Sequence, residues 1–209
     1  MSYGCYAGQV RNRKLAFPNR VHGLRNCVVF YRPLGFTTTL AFLESQVPFQ
    51  RDEESLLKAL ELFERSRALW TREKEEFSAV RRAEKAAGRR NLSHGTRNVY
   101  QLDRWHADPQ AGALFALDHW LRTERPEFGA ADVVNHPQIA GVDALVAACR
   151  AGNIGGDFTA RLAALRRELT VDWLIGTWSA DPVGFRRRGR LRAVLGHIAV
   201  ALETRPEVG

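Results

Sequence analysis

Histidine and carboxylate residues that could bind a metal or transfer protons are concentrated in one segment of the chain. Four of the six histidines lie there: His94 in SHGTR, His106 in DRWHAD, His119 in LDHW and His136 in NHPQ. Imidazole and carboxylate groups are common ligands of transition metals and common acid–base catalysts. Their order matches neither an HD pair nor an HExxH motif. We therefore treat a metal-dependent or acid–base enzyme built on this segment as an alternative, and we predict a noncatalytic protein with no metal or cofactor.

Arginines form a dense cluster near the C-terminal end of the chain, in the sequence FRRRGRLRAVLGHIAVALE of residues 185–203. If this stretch is one helix, the arginines lie in its N-terminal half, where the helix macrodipole disfavours cations. They also repel one another, and no acidic residue stands among them to form pairs four residues apart. A nearby anion would relieve this repulsion. The anion could be a nucleic-acid backbone, an acidic partner protein or the chain's own segment 101–150.

Two further basic elements accompany this cluster. Residues 1–43 contain no aspartate or glutamate, and their cations alternate with tyrosine and phenylalanine. This pattern suits RNA, because phosphates pair with the cations and unpaired bases stack on the rings. The polar loop RRNLSHGTRN of residues 89–98 is the other basic element. The residues predicted to bind nucleic acid are Arg11, Arg13, Lys14, Arg20, Arg25, Arg89, Arg90, Arg97, Arg186, Arg187, Arg188, Arg190 and Arg192.

The net charge of the chain is +8 and is unevenly distributed. Residues 1–50 carry six basic residues against one acid, whereas residues 101–150 carry seven acids against four arginines. Of the 31 basic residues 27 are arginine, a side chain that binds a phosphate with two donors at once. This composition favours a polyanionic partner.

The elements that position these residues are predicted to be mainly α-helical. Asp52 is a suitable N-cap for a long helix that ends near Gly88, and the Asp–Pro pairs at 108–109 and 181–182 begin two later helices. The first of these has a predicted inward stripe of Leu114, Leu117 and Leu121, and further helices are predicted between the two. The last helix has a predicted packing stripe of Leu191, Val194, Leu195, Ile198 and Leu202. We expect an irregular helical domain of about five to seven helices over residues 51–209.

Residues 1–50 are expected to form a basic N-terminal arm that precedes the helical domain. The segments CVVFY (27–31) and FTTTLAF (36–42) are rich in β-branched and aromatic residues and flank RPLG, which has the composition of a turn. This pattern predicts a β-hairpin within the arm. The competing interpretation begins a helix at residue 36, because an isolated hairpin is only marginally stable.

Cysteine content and hydropathy predict the compartment. Three cysteines, widely spaced and in no CxxC pattern, indicate neither a disulfide framework nor a zinc site. No apolar stretch is long enough for a transmembrane segment, and the N-terminus lacks the apolar core of a secretory signal. We expect a soluble intracellular protein of a cytoplasm or an organelle matrix.

Together these observations predict a basic subunit of a ribonucleoprotein or other large assembly, with RNA and neighbouring proteins as its partners. A helical scaffold or adaptor that binds acidic proteins is the first alternative. The enzyme on the histidine segment is the second.

Overall fold

A computed structural model describes residues 1–89, 99, 103–175 and 182–203 of the chain. Over these ranges the chain forms nine α-helices and no β-strand, so the predicted mainly α class is confirmed. None of the helices in the described ranges is long and apolar enough to cross a membrane. The chain divides into two compact units, Met1–Asp108 and Pro109–Gly209. The domain boundary predicted after residue 50 stays a prediction.

The described residues of the first unit form four helices. They are α1 (Tyr3–Arg11), α2 (Phe17–Phe30), α3 (Phe36–Gln46) and α4 (Glu53–Ala86). Residues 1–50 therefore form three helices, of which the sequence indicated only α3, as the alternative to a hairpin.

The β-hairpin predicted for residues 27–42 is wrong, because CVVFY ends α2 and FTTTLAF begins α3. The competing interpretation, a helix that begins at residue 36, is confirmed. In α2 the buried residues recur every three or four positions, which is the spacing of one helix face. Burial of this face outweighs the local β-propensity, which depends strongly on context. The buried residues are Arg20, Gly23, Leu24, Cys27 and Val28.

Helix α4 begins as predicted: the Asp52 carboxylate accepts a hydrogen bond from the Ser55 N–H at 2.8 Å. Its N-terminal half buries Leu56, Leu60 and Phe63, whereas no residue of α4 beyond Ser66 is fully buried. Aromatic side chains complete the core of the first unit around the buried Trp105. The rings of Tyr31, Phe42 and Phe63 have their centroids 6.4, 5.0 and 6.3 Å from the Trp105 ring.

Within the described part of the second unit the chain forms five α-helices, with an irregular connection after the first of them. The helices are α5 (Pro109–His119), α6 (Ala130–Asn135), α7 (Gln138–Ala151), α8 (Phe158–Ile175) and α9 (Pro182–Glu203). A π-helical turn, Trp120–Glu124, and a 3-10 turn, Arg125–Glu127, continue α5 toward α6.

The core of the second unit lies against α9. In its predicted packing stripe Leu191, Val194, Leu195 and Ile198 are buried and Leu202 is half-buried. The inward stripe predicted for α5 is confirmed at Leu117, which is buried, and wrong at Leu114, which is exposed. Ala113, Ala116 and Trp120 also face the core. Small alanines therefore let α5 pack closely, and Trp120 supplies the bulk one turn later.

Candidate polyanion-binding surfaces

The arginine cluster of α9 meets acidic residues of the chain itself. Arg187 Nε lies 3.3 Å from Asp132 Oδ1, and its Nη2 donates to the backbone carbonyl of Glu127 at 3.0 Å. The guanidinium carbon of Arg187 also lies 4.5 Å from the centroid of the Phe128 ring, within range of a cation–π interaction. Arg190 forms an ion pair with the Glu127 carboxylate. The chain's own segment 101–150, one of the anions considered for this cluster, therefore supplies carboxylates to Arg187 and Arg190.

The pKa values of charged groups at the α9 cluster are shifted by their neighbours. The Arg190 hydrogen bond, and then the charges of Arg190 and Arg187, hold the pKa of Glu127 below its usual value. Both partners of the Arg190–Glu127 pair remain substantially exposed, so salt screens their attraction. Burial, followed by the charge of Arg166, lowers the pKa of Arg192. Arg186 is exposed, and Arg188 is half-buried.

Three cations of the N-terminal region are held by carboxylates of α4. Arg11 pairs with Glu64, and Arg13 Nε lies 2.9 Å from Glu53 Oε1. Arg20 is only 2% exposed, and it links three helices: its Nε donates to the Val10 carbonyl at 2.7 Å, and its Nη1 lies 3.1 Å from Glu53 Oε2. Arg20 is therefore a packing residue that joins α1 and α2 to α4.

Other predicted cations of the first unit face solvent. Lys14 and Arg89 are exposed, and neither side chain has an ion pair with any residue that the structure describes. Arg25 is exposed as well, and its Nη2 donates to the side-chain amide oxygen of Gln50 at 3.2 Å. Arg90 and Arg97 lie outside the described residues.

One exposed cation was missing from the predicted site. Arg32 lies in the connection between α2 and α3, and over the described residues its guanidinium has neither a hydrogen bond nor an ion pair. The Gly35 N–H donates to the Arg32 carbonyl at 3.1 Å, and Gly35 has a φ of +87°, which favours glycine. The sequence signal that points to Arg32 is the absence of acidic residues from residues 1–43, because Arg32 is one of the basic residues in that range.

Exposed apolar residues stand close to Arg32 in the sequence. Phe30, the last residue of α2, and Phe36, the first residue of α3, are each 40% exposed. Val29 is 54% exposed. Among the described residues the Phe30 ring contacts the Tyr6 ring, with centroids 6.0 Å apart. The α2–α3 connection therefore combines an exposed cation with exposed aromatic residues within seven positions of the chain.

The three described histidines of the candidate catalytic segment, His106, His119 and His136, have separate surroundings. His94 lies outside the described residues. His119 Nδ1 lies 3.5 Å from Glu124 Oε1, and its ring stacks on Phe115. His136 is buried at the end of α6. Within the described ranges, no group of three histidine, cysteine, aspartate or glutamate side chains could hold a metal ion.

His106 belongs to a polar chain inside the first unit. The Tyr31 hydroxyl lies 2.8 Å from His106 Nδ1 and 2.7 Å from the Ser66 hydroxyl, and Ser66 Oγ accepts from the Ala107 N–H at 3.3 Å. His106 Nε2 lies 3.2 Å from Glu73 Oε2. Burial is the main cause that raises the pKa of Tyr31. The Tyr31 hydroxyl and the fully buried Ser66 thus serve to attach the segment before residue 108 to α2 and α4.

The surfaces divide into two kinds. In α9 and in part of the N-terminal region, cations already have carboxylate partners, whereas at the α2–α3 connection cations and aromatic rings face solvent. Comparison with known proteins adds no assignment to either kind: no protein-family model, no curated protein and no solved structure matches this chain.

Proposed function

We propose that this chain is a noncatalytic RNA-binding protein that contacts the phosphate backbone through exposed cations of its first unit, as a subunit of a ribonucleoprotein assembly. One observation carries the proposal. Lys14, Arg25 and Arg32 face solvent, and among the described residues none of them is paired with a carboxylate. The first 43 residues supply no acid that could neutralise them. A phosphate backbone is the common polyanion that suits such a surface.

Under this proposal the α9 cluster contributes less to RNA binding than the exposed cations of the first unit do. Arg187 and Arg190 already contact Asp132 and Glu127, so a phosphate must displace a carboxylate before it can bind either guanidinium. When phosphates bind the exposed cations of the first unit, they displace only mobile counterions and no carboxylate of the chain. We therefore assign the main contacts to Lys14, Arg25 and Arg32.

A salt series tests the proposal. Binding of a fluorescein-labelled RNA single strand is measured for the wild type and for a variant that combines Lys14→Gln, Arg25→Gln and Arg32→Gln. Each phosphate contact contributes about −0.7 to the slope of log K against log salt on single strands, so the triple variant should flatten the slope by up to about 2.

The matched control removes the same charge elsewhere. The control combines Arg82→Gln in α4 with Arg166→Gln and Arg167→Gln in α8; all three wild-type side chains are exposed, and none has an ion pair with a described residue. This control should leave the slope close to the wild-type value. Coinciding slopes for all three proteins, or equal flattening by both variants, would overturn the proposal, because binding would then not depend on the three named cations.

A second candidate function is a helical adaptor for acidic proteins. The observation that favours it is the α9 contact, in which Arg187 and Arg190 already pair with the carboxylates of Asp132 and Glu127. Under this alternative the triple variant of the first unit leaves RNA binding unchanged. Neutralising Arg187 and Arg190 would instead weaken binding of an acidic polypeptide, such as polyglutamate used as a probe.

A further inference from the structure

We infer that the exposed surface at the α2–α3 connection binds unpaired nucleotides, with bases stacked on Phe30 and Phe36 and phosphates on Arg25 and Arg32. We call these four residues, together with Val29, the α2–α3 surface. The inference rests on the proposed function, to which it adds a ligand class: single-stranded rather than double-stranded RNA.

The aromatic rings give the first argument. Burying a phenylalanine is strongly favourable, and neighbouring aromatic residues of the first unit, Tyr31 and Phe42, are buried in its core. Phe30 and Phe36 remain 40% exposed although they end and begin consecutive helices. Partly exposed aromatic rings offer area on which nucleic-acid bases can stack, and every base has a π-face that can use it.

The positions of the cations give the second argument. Arg32 lies between the two phenylalanines in the sequence, in a connection of five residues that the Gly35-to-Arg32 hydrogen bond tightens. Arg25 and Val29 are four residues apart in α2, so their side chains are neighbours on one face of that helix. Arg25 therefore lies on the same face of α2 as the exposed Val29, and Arg32 follows the end of the helix by two residues.

Charge complementarity selects the occupant. An apolar protein surface would cover the rings but would also remove water from Arg32, whose guanidinium has no partner over the described residues. An acidic peptide could pair with Arg25 and Arg32 but would leave the rings exposed. Single-stranded RNA satisfies both groups, since its bases are free to stack and its phosphates are negative. In a duplex the bases are already stacked on one another, so the rings would gain nothing.

The test compares two forms of one RNA. A labelled 12-nucleotide RNA of mixed sequence is titrated as a single strand and as the blunt duplex with its complement, at one fixed salt concentration. The variant combines Phe30→Leu and Phe36→Leu, which keeps apolar side chains but removes both rings. Loss of base–aromatic stacking should weaken single-strand binding about tenfold or more. Duplex binding should change less than about twofold, because phosphate contacts dominate it.

Two further variants guard against an indirect effect. Phe30→Trp combined with Phe36→Trp keeps both aromatic faces and should retain single-strand affinity. Val134→Ala removes an exposed apolar side chain, 80% exposed, in the second unit and should have no effect. Thermal melts followed by circular dichroism check that every variant folds.

Each outcome has one meaning. If the three-cation variant flattens the salt slope while the double leucine variant binds the single strand like the wild type, the proposed function stands and this inference is overturned. Equal wild-type affinity for the single strand and the duplex also overturns it. If the wild type binds neither RNA, both the inference and the proposed function fail, and a protein becomes the partner to seek.

Discussion

At the scale of single residues, arginine side chains have different roles at different positions of the chain. Arg20 is buried and joins three helices, Arg190 is exposed and paired with Glu127, and Arg32 is exposed with no carboxylate partner over the described residues. The number of arginines near a surface is therefore a poor measure of its capacity for phosphate. That capacity depends on whether each guanidinium group is already paired with a carboxylate of the same chain.

The Arg190–Glu127 pair makes a prediction about pH. Because Arg190 lowers the pKa of Glu127, Arg190→Gln should raise that pKa toward the ordinary glutamate value. A carboxyl whose pKa is lowered in the folded protein stabilises the fold above its unfolded-state pKa. That contribution is lost as the pH falls through the folded-state value.

Titration of the Glu127 side-chain carboxyl carbon by NMR at low salt measures the shift. Arg161→Gln serves as the control, because Arg161 pairs with Asp157 and should leave the Glu127 titration unchanged. A Glu127 pKa that is the same in the wild type and Arg190→Gln would show that the pair does not form in solution.

These residue roles could be predicted from the sequence only in part. The acid-free N-terminal region and the cluster at 186–192 indicated where cations concentrate. The sequence could not indicate which cations are neutralised, since the partners are distant along the chain: Glu64 for Arg11, Glu53 for Arg20 and Glu127 for Arg190. Such pairings depend on how the helices pack.

At the scale of elements, the packing of α1 against α2 depends on a glycine. A Cβ atom added at Gly23 would lie 3.2 Å from the Tyr6 carbonyl oxygen and 3.2 Å from Val10 Cγ2. These distances are shorter than ordinary van der Waals contacts, so α1 would have to move. A Cβ atom added at Gly8, on α1, meets no atom within 4 Å.

Two alanine variants test this packing in opposite directions. Gly23→Ala should destabilise the protein by about 1–3 kcal/mol, the usual cost of overpacking a close contact. Gly8→Ala should stabilise it by roughly 0.5–1 kcal/mol, because alanine loses less backbone entropy in a helix. Urea denaturation followed by circular dichroism measures both. A destabilising Gly8→Ala, or a neutral Gly23→Ala, would contradict this account of the α1–α2 contact.

Most helices could be predicted from local signals, and the hairpin error shows where such signals fail. The Asp52 cap, the end of α7 before Gly152 and the apolar stripe of α9 each follow from a few neighbouring residues. The hairpin prediction for the segment 27–42 is wrong because it depends on the local strand propensity of β-branched and aromatic residues. Its buried residues follow the three- and four-residue spacing of α2, which depends on the partner helices that cover it.

At the scale of the whole molecule, each unit has its own hydrophobic core. The first is centred on Trp105 and Phe63, and the second contains Trp120 packed with residues of α7 and α9. Each unit is about 100 residues long, which is enough to bury a core of its own.

We therefore expect the fragments 1–108 and 109–209 to fold separately, each with a helical circular dichroism spectrum and a cooperative thermal transition. Fragment 1–86 is the control: it keeps all four helices but lacks Trp105, and it should lose cooperativity. A noncooperative melt of 1–108 or of 109–209 would contradict independent folding. A cooperative fragment 51–209 would support the boundary predicted after residue 50.

The carboxylates that contact α9 have a consequence for how salt acts on this protein. When a polyanion binds an unpaired arginine, mobile ions leave both partners, and this gain in entropy makes binding weaken as salt rises. At Arg187 and Arg190 the displaced anion is a carboxylate attached to the same chain, which cannot diffuse away. A phosphate bound there would still release cations from the nucleic acid, but the freed carboxylate would attract cations in turn, so few mobile ions would be released overall. The anions that neutralise Arg187 and Arg190 are thus part of the protein itself. Any affinity that these arginines provide for a polyanion should therefore depend little on salt concentration.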